Sequence, residues 1–416
     1  MSLKILHIAD IHMGMENYGR LDPATGLHTR LQDFSKCLSF AVDTGIEEKA
    51  DLVLFAGDAY RTCDPTPTHQ RAFAAQFRRF SDAGIPVVMI IGNHDNPVAY
   101  GKASSIDIFG TLGVTDIAII SKPEKLVIQT KQGAVQVACL PWPTKSTLLT
   151  KDEYKDLSET EIRQKIEEIC TTIIQSWADD LDPSLPSFLL AHITAADARL
   201  SGTERSAVIG HDPTILTSVL ANPAFDYCAL GHVHRFQDLN PRGKPRVVYP
   251  GSIERVDFGE EQEEKGFCLV ELDGKEVQYR FIPTPARPFI TIDVTISPED
   301  EQPTHTILRE IERRDLAGAI VRVIYTVPEE LQHKIDLRAL RAGLDQAFLV
   351  ASIVRKTETP QRIRRAAVSE ELSCLDALDR YFENNPDLES YAADMKRCAQ
   401  LLQRELEEEH QASSGG

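Results

Sequence analysis

No two cysteines of this 416-residue chain stand in a C-x-x-C arrangement. The eight present (Cys37, Cys63, Cys139, Cys170, Cys228, Cys268, Cys374 and Cys398) are scattered singly. That argues against a zinc knuckle or disulfide framework and fits a reducing cytosol. Long apolar runs are missing too. The start, MSLKILHIAD, has no apolar core of signal-peptide length, and no segment approaches bilayer-spanning length, so neither an export signal nor a membrane anchor is expected. There is no G-x-x-x-x-G-K-[ST], so a nucleotide-driven motor would have to come from another chain. Positive charge is in deficit: 45 Lys and Arg against 63 Asp and Glu give a formal net charge of −18. This disfavours DNA binding through bulk positive charge, but not a site where metal cations and a local basic surface meet phosphate. The remaining composition, 42% hydrophobic and 26% charged, is that of a soluble globular protein. The chain is too long for one core, so two or three domains are expected.

What is present begins with buried strands. LKILHIAD, ADLVLFAGD, IPVVMIIGN, PSFLLAHI and FDYCALGH are apolar runs that end in Asp, Asn or His. Helical patterns, RLQDFSKCLSFAVDTGIEEK and TPTHQRAFAAQFRRFSDAG, separate the first three. That is the order of βαβ units, in which ligands gather at the carboxyl ends of the strands. A second set, LVIQT, VQVACLPWP, RVVYPGSI and KGFCLVEL, follows without helices and predicts a second, partly antiparallel sheet. The expected fold is an α/β two-sheet sandwich flanked by helices over residues 1–285. The proline-rich IPTPARP (282–288) is the domain boundary. Beyond it a β-α-β-α-β pattern predicts a small α+β domain at 286–358. A linker and C-terminal helices follow at 359–410, with a disordered tail at 411–416.

Five strand ends carry ligand-type side chains: Asp10 and His12 in ADIH, Asp58 in AGD, Asn93 and His94 in GNHD, His192 in LLAHI, and His232 and His234 in GHVH. A single Asp at a strand end is usually a turn residue or cap. Five such clusters at equivalent strand ends are hard to explain as separate accidents. Carboxylates, imidazoles and an amide, with no thiolate, suit two borderline divalent ions such as Mn²⁺, Fe²⁺ or Zn²⁺ better than Ca²⁺. Two ions roughly 3.5–4 Å apart are the usual device for in-line attack at phosphorus, and Asp58 is the natural bridge.

The ordered set D-x-H, G-D, G-N-H-D, a lone His and G-H-x-H resembles the signature of calcineurin-like metallophosphoesterases, over about residues 1–285. The resemblance implies that Asp10, His12, Asp58 and His234 hold one ion, and Asp58, Asn93, His192 and His232 the other. Asp58 and His94 would be the catalytic pair, with His94 outside the metals protonating the leaving oxygen or stabilising the pentacoordinate phosphorus. Asp95 is expected to fix the loop or an imidazole.

Three further features resemble the SbcD family of DNA double-strand-break repair nucleases: the stretch YPGSIERVDFGEEQEEKGF (249–267), the small domain in the position of a DNA-capping domain, and the C-terminal helices. That resemblance implies a cytoplasmic Mn²⁺-dependent nuclease subunit, 3′→5′ exonuclease on duplex DNA and endonuclease on single-stranded or hairpin DNA, working by two-metal hydroxide attack. It implies an SbcC-type ABC ATPase partner with a coiled coil, and a homodimer formed through region 66–112. An apolar face of Leu372, Leu375, Ala377, Leu378, Tyr381 and Phe382 would dock the ATPase or pack on the chain's own core. Arg355, Lys356, Arg362, Arg364 and Arg365 would meet DNA, the ATPase or only solvent. DNA-contact candidates by position are Tyr18, Arg20, His28 and Arg30. Arg61, which replaces a family His or Asp, is expected to seat the scissile strand or to pair with Asp64. His7 is expected to be packed, and Trp142 to fill a core corner. The competing enzyme reading is a stand-alone phosphodiesterase or phosphatase acting on small nucleotides or phosphoproteins. A non-catalytic ATPase scaffold is disfavoured by the intact ligand set.

Overall fold

The computed structural model describes residues 2–97, 103–114, 116–148, 157–201, 212–356, 378, 382 and 392–400. Two six-stranded sheets lie face to face. The first runs β14-β13-β1-β2-β3-β4 (Glu276–Pro283, Gly266–Asp273, Leu3–Ile8, Leu52–Phe55, Val87–Ile90, Ile117–Ile120). The second runs β11-β12-β10-β7-β6-β5 (Gln237–Asp238, Arg246–Tyr249, Tyr227–Gly231, Ser187–His192, Gly133–Leu140, Glu124–Thr130). Two short strands, β8 (Thr194–Ala195) and β9 (Thr214–Ile215), pair beside them.

Strand alternation builds the layers. Leu52 and Leu54 of β2 face the second sheet and meet a core that includes Val137, Phe188 and Tyr227. Val53 and Phe55 face outward onto Phe34, Phe73, Phe77 and Phe80 of helices α1 (Thr29–Glu47) and α2 (Pro67–Asp82). On the far side, Leu189 and Leu230 meet Ile166, Cys170 and Ile174 of the helix Glu159–Asp179. Strands covered on both faces read as continuous apolar runs. Strands β1 to β4 run parallel, as do β6, β7, β10 and β12, so the carboxyl ends of each set share one edge.

The sheet membership differs from the sequence expectation in two places. PSFLLAHI and FDYCALGH form β7 and β10 of the second sheet and do not continue the first. KGFCLVEL forms β13 and joins the first sheet, antiparallel to β1. A run buried on both faces reports its burial, not which of two packed sheets it pairs in. Strand β13 has the double-sided pattern that a neighbour of β1 requires, with Phe267 and Leu269 facing the helices and Cys268 and Val270 facing the second sheet.

After Pro283 the chain enters a separate three-stranded parallel sheet, β15 (Phe289–Thr295), β16 (Ile320–Thr326) and β17 (Leu349–Lys356), in that order. The helices Pro303–Glu312 and Leu337–Gly343 pack on it through Ile307, Ile311 and Leu340. This unit sits on the sandwich through Phe289, whose ring lies 4.9 Å from Phe258 and 5.7 Å from Tyr18. Arg287 Nε, in the connection, donates to Asp33 Oδ2 of α1 at 2.7 Å. Among the described residues, no helix is long and apolar enough to cross a membrane. Arg362, Arg364, Arg365 and most of the expected ATPase-docking face lie outside the described residues; of that face Leu378 and Phe382 are described, and Phe382 is buried.

Candidate metal centre

The loops leaving β1, β2, β3, β7 and β10 converge between the two sheets. Asp10, His12, Asp58, His192 and His232 are buried there, Asn93 and His234 are half-buried, and His94 is exposed at the mouth. The loops are pinned to one another by the main chain: Asp10 N donates to Gly57 O, and Ile11 N and His12 N to Asp58 O. Asp95 completes the bracket. Its carboxylate accepts from Ala59 N and Tyr60 N at 3.1 Å each and from Gly92 N at 3.2 Å, so it fixes loops and not an imidazole. Burial pushes Asp95 up to about 6, against those hydrogen bonds.

Asp58 stands between two sets of donors. Its Oδ2 lies 3.7 Å from His12 Nε2 and 3.6 Å from His192 Nε2, while Oδ1 accepts from His94 N at 2.9 Å. On one side, Asp10, His12 and His234 bring ligand atoms within 4.8 Å of one another, with His12 Nε2 and His234 Nε2 only 2.8 Å apart. On the other, Asn93 Oδ1 lies 2.9 Å from His192 Nε2 and 3.0 Å from His232 Nδ1. The seven sequence-predicted ligand residues are thus brought to one place.

Three observations fit this cluster to cations. Asp10, His12, Asp58 and His232 have φ of 50°, 49°, 59° and 102°, so four of the seven donor residues sit in left-handed backbone that costs about 1–3 kcal/mol each. Burial, then Asp95 and Asp10, push the Asp58 carboxyl well above its ordinary range, while burial pushes His12 and His192 well below theirs. Neutral imidazoles and crowded carboxylates are what a positive ion would satisfy. Finally, the donor set is mixed N/O with no thiolate, which suits borderline divalent ions.

The histidines are set by partners on their other nitrogens. His192 Nδ1 donates to Ala56 O at 2.6 Å, His232 Nε2 faces Asp212 Oδ2 at 3.0 Å, and His234 Nδ1 faces Glu260 Oε1 at 2.7 Å. Burial pushes Glu260 up, but Lys265 and then His234 outweigh it and hold the carboxyl at about 2. Trp142, expected in a core corner, lies against the site, its ring 4.9 Å from His232 and 6.0 Å from His192. Asp212 and Glu260 were not expected from the sequence. Glu260 sits in the acid-rich GEEQEE, where nothing separates it from solvated neighbours.

His94 Nδ1 donates to Arg61 O at 2.8 Å, and its ring meets His12 edge-on at 4.9 Å. Burial, then the neighbouring histidines and Arg61, lower its pKa. Arg61 is exposed, and among the described residues Asp64 meets Cys63 and not Arg61. The other expected DNA contacts divide. Arg30 is a correction: it is fully buried, its Nη1 2.9 Å from Asp33 Oδ2 and its Nη2 on Arg255 O, so no duplex reaches it. Tyr18 packs between Phe258 and Phe289, and His28 caps α1 by accepting from Arg30 N at 3.3 Å. Arg20 is exposed, its guanidinium 5.4 Å from the Phe348 ring. His7 is packed, between Tyr227 Oη at 3.0 Å and Leu230 O at 3.1 Å.

Among solved structures, a dimetal phosphatase from Danio rerio is similar at 10% identity and a TM-score of 0.42, covering 67% of this chain and 95% of that one. Residues 3–236, more than half of the chain, match the family model described as calcineurin-like phosphoesterase, and the chain belongs to that family.

Proposed function

We propose that this metallophosphoesterase is the nuclease subunit of an SbcCD-type complex. It would cleave DNA phosphodiesters, 3′→5′ on duplex ends and internally on single strands or hairpins, with Mn²⁺. An SbcC-type ATPase and a second copy of this chain would be its partners, in the cytoplasm. The observation that supports a polymeric substrate is the loop 253–265, which serves both parts of the molecule. Its Glu260 holds His234, while its Phe258 packs on Phe289 and its Glu261 carboxylate accepts from Thr291 N at 2.9 Å. The small β15–β17 unit is therefore seated by the same loop that holds a metal ligand. A second wall fixed beside the site suits a long backbone that has to be positioned; a small ester needs none.

Asp10, His12, Asp58 and His234 would hold one ion, and Asp58, Asn93, His192 and His232 the other. Such a pair, when bound, supplies an activated water and screens phosphate charge. The chain's own part in the chemistry falls to His94. Its Nδ1 proton is committed to Arg61 O, so Nε2 is the nitrogen left for substrate. As imidazolium it gives its Nε2 proton to the departing 3′ oxygen. Arg61 and Arg20, the exposed cations of the predicted set, would steady the strand.

The test is a metal-dependent assay on end-labelled duplex and hairpin DNA, with and without the SbcC-type partner and ATP. Mn²⁺-dependent shortening from 3′ ends is expected. Hydrolysis of a cyclic nucleotide or phosphopeptide, with no cut in either DNA, would replace this reading with the small-substrate one.

A further inference from the structure

The metal ligand His234 is gripped in a way that the family signature does not specify. Its main-chain oxygen accepts from Lys265 Nζ at 2.9 Å and from Ser252 N at 3.1 Å. Its ring Nδ1 meets Glu260 Oε1 at 2.7 Å. Glu260 Oε2 in turn lies 2.9 Å from Lys265 Nζ and accepts from Val256 N at 2.9 Å. Two side chains thus close a ring on one residue, one holding its backbone and the other its imidazole. Lys265 and Glu260 are both buried, and a third contact, Glu263 Oε2 at 2.9 Å, completes the ammonium's shell.

Stability alone gives a poor account of this arrangement. A buried ion pair is often no better for the fold than apolar residues of the same volume, because both charges are stripped of water. What it does supply is direction. An acceptor at Nδ1 keeps the ring proton there, which leaves the lone pair on Nε2, the nitrogen that faces His12 and Asp10. The lysine holds that acceptor stationary, 2.9 Å from its other oxygen.

We propose that Glu260, supported by Lys265, is the positioning residue that makes His234 a metal ligand and sets the affinity of the ion that His234 would hold, separately from the other ion. This rests on the two-ion reading of the site.

The experiment uses the full chain, with Mn²⁺ titrated by calorimetry and by the electron paramagnetic resonance signal of free Mn²⁺. The wild-type chain is expected to take up two ions. Glu260→Gln keeps an acceptor oxygen for Nδ1–H and should retain both ions within about tenfold of wild type. Glu260→Leu should weaken one ion by roughly 10–100-fold and leave the other unchanged. The double variant Glu260→Leu/Lys265→Met removes both buried charges together, which protects folding, and should show the same selective loss. Two tight ions in a folded Leu variant, single or double, would overturn the inference and leave the two-ion reading intact. So would a Gln variant that loses the ion as completely as Leu. A wild-type chain that takes up no Mn²⁺ would overturn the two-ion reading, and this inference with it.

Discussion

His94 and His7 belong to the same sheet, one just past the end of β3 and the other inside β1. The contrast is one of surroundings. His94 is exposed at the mouth, with one ring nitrogen satisfied by Arg61 O and the other assigned to substrate in the proposed mechanism. His94→Gln removes the proposed proton donor and keeps the loop, so kcat should fall by about 10²–10⁴ while Mn²⁺ stoichiometry stays at the wild-type value. A variant that loses metal as well would make His94 a structural residue of the centre. His7 has both nitrogens satisfied, and burial holds its pKa down at about 3 against 6.5 for a free histidine. Between those values the unfolded chain binds a proton that the folded chain refuses. Stability therefore falls as pH drops below 6.5, by up to about 1.4 kcal/mol per unit. His7→Gln cannot titrate, so the gap in urea stability between wild type and variant should narrow by about 2 kcal/mol from pH 7.5 to pH 5. Parallel stability curves would show that His7 takes up its proton in the folded state. Both placements were legible in the sequence, because one histidine lies inside an apolar strand and the other just past the end of one. Arg30 was not legible: an arginine in a polar loop reads as surface until its acceptors, Asp33 and Arg255 O, are known.

At the scale of elements, the site is a product of strand ends brought close enough for backbones to touch. Gly92, between β3 and the candidate ligand Asn93, shows how close. A Cβ built there would lie 2.1 Å from Asp58 Oδ1 and 2.4 Å from Asp58 N. Gly92→Ala should therefore push the central carboxylate and the backbone of the loop that carries it out of place. Mn²⁺ uptake should drop for both ions and hydrolysis should fall by about a hundredfold or more, with far-UV circular dichroism unchanged. Unaltered metal uptake would mean that Asp58 does not serve both ions. This is also where the sequence runs out. The strand ends could be found because each apolar run stops at a ligand-type residue. The sheet that each strand joins could not, because β7, β10 and β13 are apolar on both faces and satisfied in either sheet. Asp212 and Glu260 were hidden for a related reason: a lone acid in a loop acquires a role only when the fold sets an imidazole beside it.

In the whole molecule, the proposed function turns on whether the small β15–β17 unit is a wall for substrate or only a neighbour. Arg287 isolates that question. It lies in the connection between the sandwich and the unit and holds both. Its Nε and Nη2 meet the two oxygens of Asp33 on α1, at 2.7 and 2.5 Å. Its Nη1 donates to Gly318 O at 2.8 Å, and its guanidinium lies 3.7 Å from the Phe348 ring. Arg287→Met keeps the stem and removes all of these contacts, while Asp33 keeps Arg30 as its counter-charge. The loss should cost about 1.5–3 kcal/mol and fall on the seating of the unit, because each side of the joint has a core of its own. Cleavage of the 283–289 connection by a protease should quicken. The metal centre lies on the other side of the loop 253–265 and should turn over bis-p-nitrophenyl phosphate, a small diester, at the wild-type rate. Cleavage of duplex DNA should fall by about tenfold or more, because only a long substrate uses the displaced wall. An equal loss on both substrates would mean that the unit acts through His234 and the loop, not by touching DNA. If neither rate changes while the connection is cut faster, the unit has no part in positioning substrate, and the case for a polymeric substrate loses the observation that supports it.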